Sequence, residues 1–306
     1  MDTAAAVRRL DRAPPASYFV GSAVFHYLGP AFAVLLFALV EPLGVAWLRI
    51  ASAALVFALW RRPWRAQPWG QILHRSKDMS DARLQDLTPS VGREVVALGA
   101  VLAVMNACFY VAIDRLPLGT VAAIEFLPVI LLAALGARTL RNGTALALAV
   151  AGVYLLTDVR LAAEPVGLAF AFANAALFAL YIVAAHRVAR HGALSGIDGL
   201  AAAMLVAWVV ATPLGAWEAV PALVDPVVLL AGIGVGITSS VIPYVCDQLA
   251  MARLPRATYA LLVSLLPATA TAIGIVVLGQ VPSPVEAAGV ALVVGGVAVH
   301  REVRPT

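Results

Sequence analysis

Four ionisable side chains stand inside long apolar stretches of this sequence: His26, Arg49, Glu125 and Asp247. Such groups are costly in hydrocarbon, so where they occur they mark binding sites, proton relays or paired charges. Arg49 lies about seven residues from the end of its apolar run and Glu125 about eight. At 1.5 Å per residue both are roughly 12 Å deep. Their matched depth predicts a buried ion pair, which either fixes the packing of two helices or forms a substrate or proton site. Asp247 follows Ser240 and Tyr244 at i, i+4 and i+7, so a regular helix puts all three on one face. There it either carries a coupling proton or holds a substrate amine.

Shorter polar stripes accompany these charges. Tyr18, Ser22 and His26 share a helical spacing, with Tyr27 beside them; so do Asn106 and Tyr110, then Asn174, Phe178 and Tyr181, then Ser264 and Thr271. Each alone can serve as a helix–helix hydrogen bond. Together they predict a cavity of mixed aromatic and polar lining, suited to an amino acid or another small amphiphilic solute. The expected substrate-facing set is His26, Tyr27, Asn106, Tyr110, Glu125, Asn174, Tyr181, Ser240, Tyr244, Asp247 and Ser264. Arg49, Glu125 and Asp247 are expected to supply ion pairing or proton coupling. Gly232 and Gly236 form a GxxxG pair, which allows close helix approach. The sequence has no GxxxxGK[ST] phosphate loop, no HExxH and no cluster of Cys and His at ligand spacing. His186 and His191 are poorly spaced for a helical metal pair. The expectation is therefore no catalytic residue, no metal and no cofactor.

The elements that must position these groups follow from composition. Of 306 residues, 62% are hydrophobic and 12% charged, against about half and a quarter in soluble domains. Disorder is excluded by the same excess of apolar residues. Apolar windows fall near 18–39, 42–60, 94–113, 117–137, 143–158, 165–185, 197–217, 227–250, 257–278 and 284–300. About 20 apolar residues span a bilayer core, and runs of this kind mean helices. The prediction is an all-α integral membrane protein with ten spans, in which Pro30, Pro128, Pro243 and Pro267 kink their helices. Arg8, Arg9 and Arg12 precede a first apolar run longer than a signal-peptide core, so an uncleaved first span is expected. The hydrophilic stretch 61–93 reads as a solvated cytoplasmic loop, with a short interfacial helix in part of it as the alternative. Cys108 and Cys246, both in apolar runs, make no disulfide scaffold.

Charge sets the orientation. With the N-terminus inside, segments facing the cytoplasm hold eighteen Lys and Arg, and those facing out hold only Arg115 and Arg160. That bias predicts cytoplasmic termini. The net charge of +4 is carried by short loops, which fits anionic lipid headgroups as partner rather than nucleic acid.

The chain also repeats itself. Residues 108–117 (Cys-Phe-Tyr-Val-Ala-Ile-Asp-Arg-Leu-Pro) align with 246–255 (Cys-Asp-Gln-Leu-Ala-Met-Ala-Arg-Leu-Pro), matching at Cys, Ala and Arg-Leu-Pro, and Thr120 matches Thr258. A five-span unit inverts its copy, which predicts two inverted five-helix repeats around a central cavity. One membrane domain then covers 1–306: 1–17 cytoplasmic, 18–158 the first repeat with loop 61–93, 165–300 the second, and 301–306 a cytoplasmic tail. Inverted repeats are a mark of secondary transporters. The acids break the repeat, since Phe109 stands at the counterpart of Asp247 and Val263 at that of Glu125.

Arg115-Leu116-Pro117-Leu118-Gly119 followed by Ile124-Glu125-Phe126, and Ser239-Ser240-Val241-Ile242-Pro243-Tyr244 with Asp247, resemble EamA-type transporters of the drug/metabolite transporter superfamily, most closely the threonine/homoserine exporter branch. Arg49 is similarly placed to an arginine of that branch. The resemblance covers roughly 18–300. It implies ten helices around a central cavity and export of amino acids or related metabolites from a bacterial cytoplasm across the inner membrane. His26-Tyr27-Leu28-Gly29-Pro30 is bulkier than the family pattern, Leu266 stands where a glutamate is common, and loop 61–93 is long. These departures imply a larger or more aromatic solute than threonine. The rival readings are a drug or toxic-metabolite exporter, and an integral-membrane enzyme or scaffold. An enzyme would cluster its ionisable groups at one membrane face, whereas here they are dispersed within the spans.

The charge bias is directly testable. A topology reporter fused after Arg160 is expected to label outside the cell and one inserted within 61–93 in the cytoplasm. The opposite labelling of either would overturn the ten-span scheme.

Overall fold

The computed structural model describes residues 15–61, 81–136, 139–161, 164–190, 196–246 and 265–299. Among them every regular element is helical: α1 Pro15–Leu36, α2 Pro42–Arg61, α3 Asp81–Arg115, α4 Leu118–Gly136, α5 Leu140–Leu161, α6 Pro165–Arg190, α7 Gly196–Gly215, the short α8 Val220–Val224, α9 Pro226–Gly236, a π-helical turn Ile237–Val241, α10 Leu266–Leu278 and α11 Pro284–Val299. Several begin on proline, whose missing N–H costs nothing where the first helical N–H groups are unbonded anyway. Asp225 caps α9 by accepting from the N–H groups of Val227 (2.8 Å) and Val228 (3.3 Å). Six helices are long and apolar enough to cross a membrane, and four shorter apolar helices (Leu118–Pro128, Leu140–Leu156, Leu266–Leu278 and Pro284–Val299) fall on the remaining windows.

Two features depart from the sequence reading. Residues 81–93, expected in a loop, are continuous with α3. Leu84, Leu87, Val91 and Val95 recur at the three- and four-residue spacing of a helix, a pattern too polar on average to register as an apolar window. The eighth window does not simply kink at Pro243: the turn before it widens into the π form. Proline has no N–H to give the carbonyl of Ser239 and its ring crowds that group, and a π turn accommodates the misfit.

The chain divides into two compact units, 32–116 with 160–237 and 1–31 with 117–159 and 238–306. In the first, α3 packs along α6 and α7, and α2 packs on α3, α7 and α9. Its core joins Ile50, Val95, Leu98, Leu102 and Met105 to Val188, Ala203, Ala207 and Ala211. Glycines set the close approaches. A Cβ on Gly99 would lie 2.6 Å from the Ala203 carbonyl, and one on Gly232 2.9 Å from Leu48. At Gly236 it would strike Ser52 and come within 2.8 Å of the Arg49 carbonyl. The GxxxG pair is thus the seam between α9 and α2. Polar clasps add to it: the Trp47 indole donates to Thr212 (3.1 Å), and Arg61 meets Asp198 at 2.8 Å.

In the second unit α4 packs on α10 and α11, which pack on each other. A Cβ on Gly152 would lie 2.5 Å from the Gly289 carbonyl and one on Gly296 2.7 Å from that of Ala145, so α5 and α11 touch backbone to backbone. α1 meets the π turn, where a Cβ on Gly29 would come 2.5 Å from that of Ser239. The Ser22 hydroxyl donates to the Pro243 carbonyl at 3.3 Å.

Gly236→Ala is expected to overpack the α9–α2 seam at a cost of about 1–3 kcal/mol, lowering the apparent Tm of the purified protein. Gly234→Ala, with nothing within 4 Å of the added Cβ, is expected to leave Tm in place. Equal Tm for the two variants would show that the seam is not tightly packed.

Candidate functional site

In the first unit the structure places Tyr110 beside Arg49. α2 carries this arginine almost fully buried, at 7% exposure. Its guanidinium carbon lies 5.5 Å from the ring centroid of Tyr110 on α3. A desolvated cation over an aromatic face gains about 2 kcal/mol. Tyr110 is itself fully buried and is framed by Phe37, edge-to-face at 6.0 Å, and by Phe109 at 5.9 Å. One turn earlier on α3, Asn106 is buried and donates to the Leu102 carbonyl at 2.8 Å. α6, packed along α3, supplies buried Asn174 and the stacked rings of Phe178 and Tyr181, 6.0 Å apart and 18° from parallel. Guanidinium, amides and flat aromatic faces in one unit can hold a carboxylate and the apolar body of a small zwitterion.

In the second unit the focus is Tyr27 and Glu125. Both are buried, on α1 and α4 respectively, and Glu125 lies within electrostatic reach of Tyr27. His26 sets its ring edge against Tyr27 at 5.1 Å. The π turn brings Ser239 and Ser240, both fully buried, against this end of α1, with Tyr244 half-buried one turn on. The regular period that put Ser240 and Tyr244 on one face does not hold here, because Ser240 lies inside the π turn.

Arg49, Asn106, Tyr110, Asn174 and Tyr181 thus belong to one unit, and His26, Tyr27, Glu125, Ser240 and Tyr244 to the other. Asp247 and Ser264 lie outside the described residues. Sequence reasoning missed Ser239, Phe37 and two further acids within apolar windows. Asp198 is buried and paired with Arg61. Glu286 is buried at 4% exposure. The signal was present, since Ser283 and Glu286 stand at Ser-x-x-Glu spacing, but that spacing reads as a helix cap.

Residues 165–300 match the EamA-like transporter family. The chain is 31% identical to the threonine/homoserine exporter RhtA of Escherichia coli (strain K12) over 261 residues, covering 84% of this chain and 81% of that protein. This chain belongs to the EamA-like transporter family. A relative of the same name from Salmonella typhimurium (strain LT2) is 31% identical over 255 residues, 82% of this chain and 79% of that protein. A solved crystal structure shares the fold, with a TM-score of 0.52 at 21% identity over 93% of this chain and 96% of that one. The protein is therefore a multi-pass membrane transporter, not an enzyme, in the branch whose members are named as threonine/homoserine exporters.

The Arg49–Tyr110 contact should be visible in stability. Tyr110→Phe keeps the aromatic face and Tyr110→Leu removes it, so Leu is expected to cost about 1–2 kcal/mol more than Phe. Thermal unfolding of the two variants in detergent checks this, and equal losses would deny the ring any role beyond filling space.

Proposed function

We propose that this transporter is a secondary exporter of amino acids or related small metabolites, working by alternating access in a bacterial inner membrane with both termini in the cytoplasm. The observation that carries the reading is the similarity to threonine/homoserine exporters over more than four fifths of the chain, joined to buried Arg49 and Glu125 within apolar helices. A zwitterionic substrate needs a cation for its carboxylate and an acid for its amine. Arg49 is assigned to the first, with Tyr110 and Tyr181 of the same unit for the substrate's apolar portion; Glu125 and Asp247 are the acids that the sequence offers for the second.

Ten spans in two inverted repeats are part of the same proposal. Packing within each unit supports it in part. If α1 to α5 are counterparts in order of α6, α7, α9 with its π continuation, α10 and α11, then some packed pairs have a packed counterpart, while α2–α3, α4–α11 and α10–α11 have none of comparable extent among the described residues. The α3–α7 pair maps onto α9–α2, and both pack. The α3–α6 pair maps onto the π turn against α1, which also touch. The α2–α7 and α4–α10 pairs map onto themselves.

A second reading, export of bulkier aromatic amphiphiles, is favoured by His26 beside Tyr27 and by the stacked Phe178–Tyr181 pair. One experiment separates the two. Proteoliposomes of the purified chain, loaded with threonine, homoserine, other amino acids or aromatic amphiphiles, are assayed for counterflow of labelled solute. Exchange of the small amino acids is expected. Exchange of the amphiphiles alone moves the assignment to the second reading, and exchange of nothing in the panel sinks both.

A further inference from the structure

The α2 helix is tied to its neighbours in two different ways along its length. Its first turns are locked by close backbone approach. A Cβ on Gly215, the last residue of α7, would run into the Leu43 carbonyl, and one on Gly44 would lie 2.7 Å from the Glu218 carbonyl. The Trp47 indole donates to Thr212 at 3.1 Å. Gly232 and Gly236 of α9 then close on Leu48, the Arg49 carbonyl and Ser52.

Ser52 marks the change. Its buried hydroxyl shares its proton between the Leu48 carbonyl at 2.7 Å and the Arg49 carbonyl at 3.1 Å. A serine bonded back to the preceding turn competes with the helix ladder and bends helices. Beyond it Ala53, Ala54, Phe57 and Ala58 are buried. Nine residues past Ser52, about 13 Å of helix, Arg61 Nε donates to Asp198 Oδ1 in the first turn of α7 at 2.8 Å.

This last tie runs through a long side chain, and water reaches it: the Arg61 side chain is 33% exposed and that of Asp198 12%. The guanidinium also lies 5.8 Å from the ring centroid of Trp60, which stacks on Phe57 at 6.3 Å, so the arginine is carried by its own turn of α2. Ion pairs within reach of water contribute little net stability, because solvent takes up both partners when they part. Such a pair can be broken and remade at every turnover. Parting the glycine seams would instead forfeit close packing that lipid tails do not replace.

We propose that residues 53–61 are a gating arm that pivots at Ser52, swings its end away from α7, and is latched shut by the Arg61–Asp198 pair. The arm's role as the inner gate rests on the exporter reading and orientation above, which put Arg61 and Asp198 at the cytoplasmic ends of their helices. Arg49, assigned there to the substrate carboxylate, stands three residues before the pivot, on the turn that Ser52 holds. The turn that meets the substrate is thus the turn about which the arm moves, and occupancy at Arg49 biases the latch.

Two experiments test this on the full chain carrying Cys108→Ala and Cys246→Ala, reconstituted in proteoliposomes. In the first, a reducible bifunctional thiol reagent joins the inner ends in Arg61→Cys/Asp198→Cys, or the outer ends in Trp47→Cys/Thr212→Cys. The inner crosslink is expected to lower amino-acid counterflow about tenfold or more, as blocking a gate does, with recovery on reduction. The outer crosslink is expected to leave counterflow in place. Counterflow that survives the inner crosslink, or is lost under the outer one, overturns the arm. The second experiment needs no transport. Ala58, 6% exposed in the latched arm, is replaced in Ala58→Cys and labelled with a water-soluble maleimide. Adding Asp198→Asn is expected to raise the labelling rate about two- to fivefold, the range that loss of such an ion pair allows. Raised salt is expected to speed labelling beside Asp198 but not in Asp198→Asn, and Arg61→Asp/Asp198→Arg to restore the slow rate. Equal rates with and without the Asp198 charge overturn the latch. A parent chain that exchanges no solute sinks the exporter reading, and the labelling rates then decide the arm by themselves.

Discussion

Hydrocarbon offers the peptide group nothing to bond to. Every N–H and C=O within the membrane must therefore find its partner inside the chain, and the architecture follows from how that requirement is met at helix ends and breaks. Ladders within the helices satisfy most groups. Prolines open several helices, where they remove a donor that has no partner there. Asp225 covers the start of α9, Gln280 reaches across to the start of α4, and the Ser283–Glu286 box closes α11. The π turn ahead of Pro243 answers the same demand inside a span.

Lipid tails are as apolar as leucine, so no hydrophobic drive holds one helix to another; close packing must do it. This explains why glycine and alanine, rather than large side chains, line the closest crossings: Gly236 on the α2 backbone, Gly99 on α7, Gly152 on α11. Large apolar residues such as Leu140, Val224 and Val276 instead stand exposed, as lipid-facing side chains do. Against this tight background the buried polar groups stand out. Arg49 is housed by Tyr110, and the rings around Tyr110 keep that face fixed.

Run length and hydropathy located the apolar helices because the span of a bilayer is a one-dimensional constraint, readable from consecutive residues. The helical continuation 81–93 was not readable that way, because its Leu84, Leu87 and Val91 are diluted by charged neighbours. Arg49 and Glu125 stood out as lone charges in apolar runs. Their neighbours did not, because Tyr110 reaches Arg49, and Tyr27 reaches Glu125, only through the packing of separate helices. The π turn precedes Pro243 and lies against α1 at Gly29, and no local pattern reports that second contact. Glu286 looked like an ordinary cap, since its helix is covered by α4, which lies far from it in sequence.

Each compact unit draws helices from both halves of the chain: α2 and α3 join α6, α7 and α9, while α4 and α5 join α10 and α11. This has a consequence for biosynthesis. The amino-terminal half leaves the ribosome before its packing partners in the second half exist. α4 then has no α10 to cover its glycine face, and α3 has no α6 beside Asn106 and Tyr110. The nascent half must therefore wait in the bilayer with its polar face unsealed: the first unit can close only once α9 has been inserted, and the second only after α10 and α11. The interval between the two halves of translation is thus the stage at which the chain is most exposed to wrong partners and to membrane proteases. Severing the gene at its midpoint would yield two fragments that can each enter a membrane but can be completed only by each other.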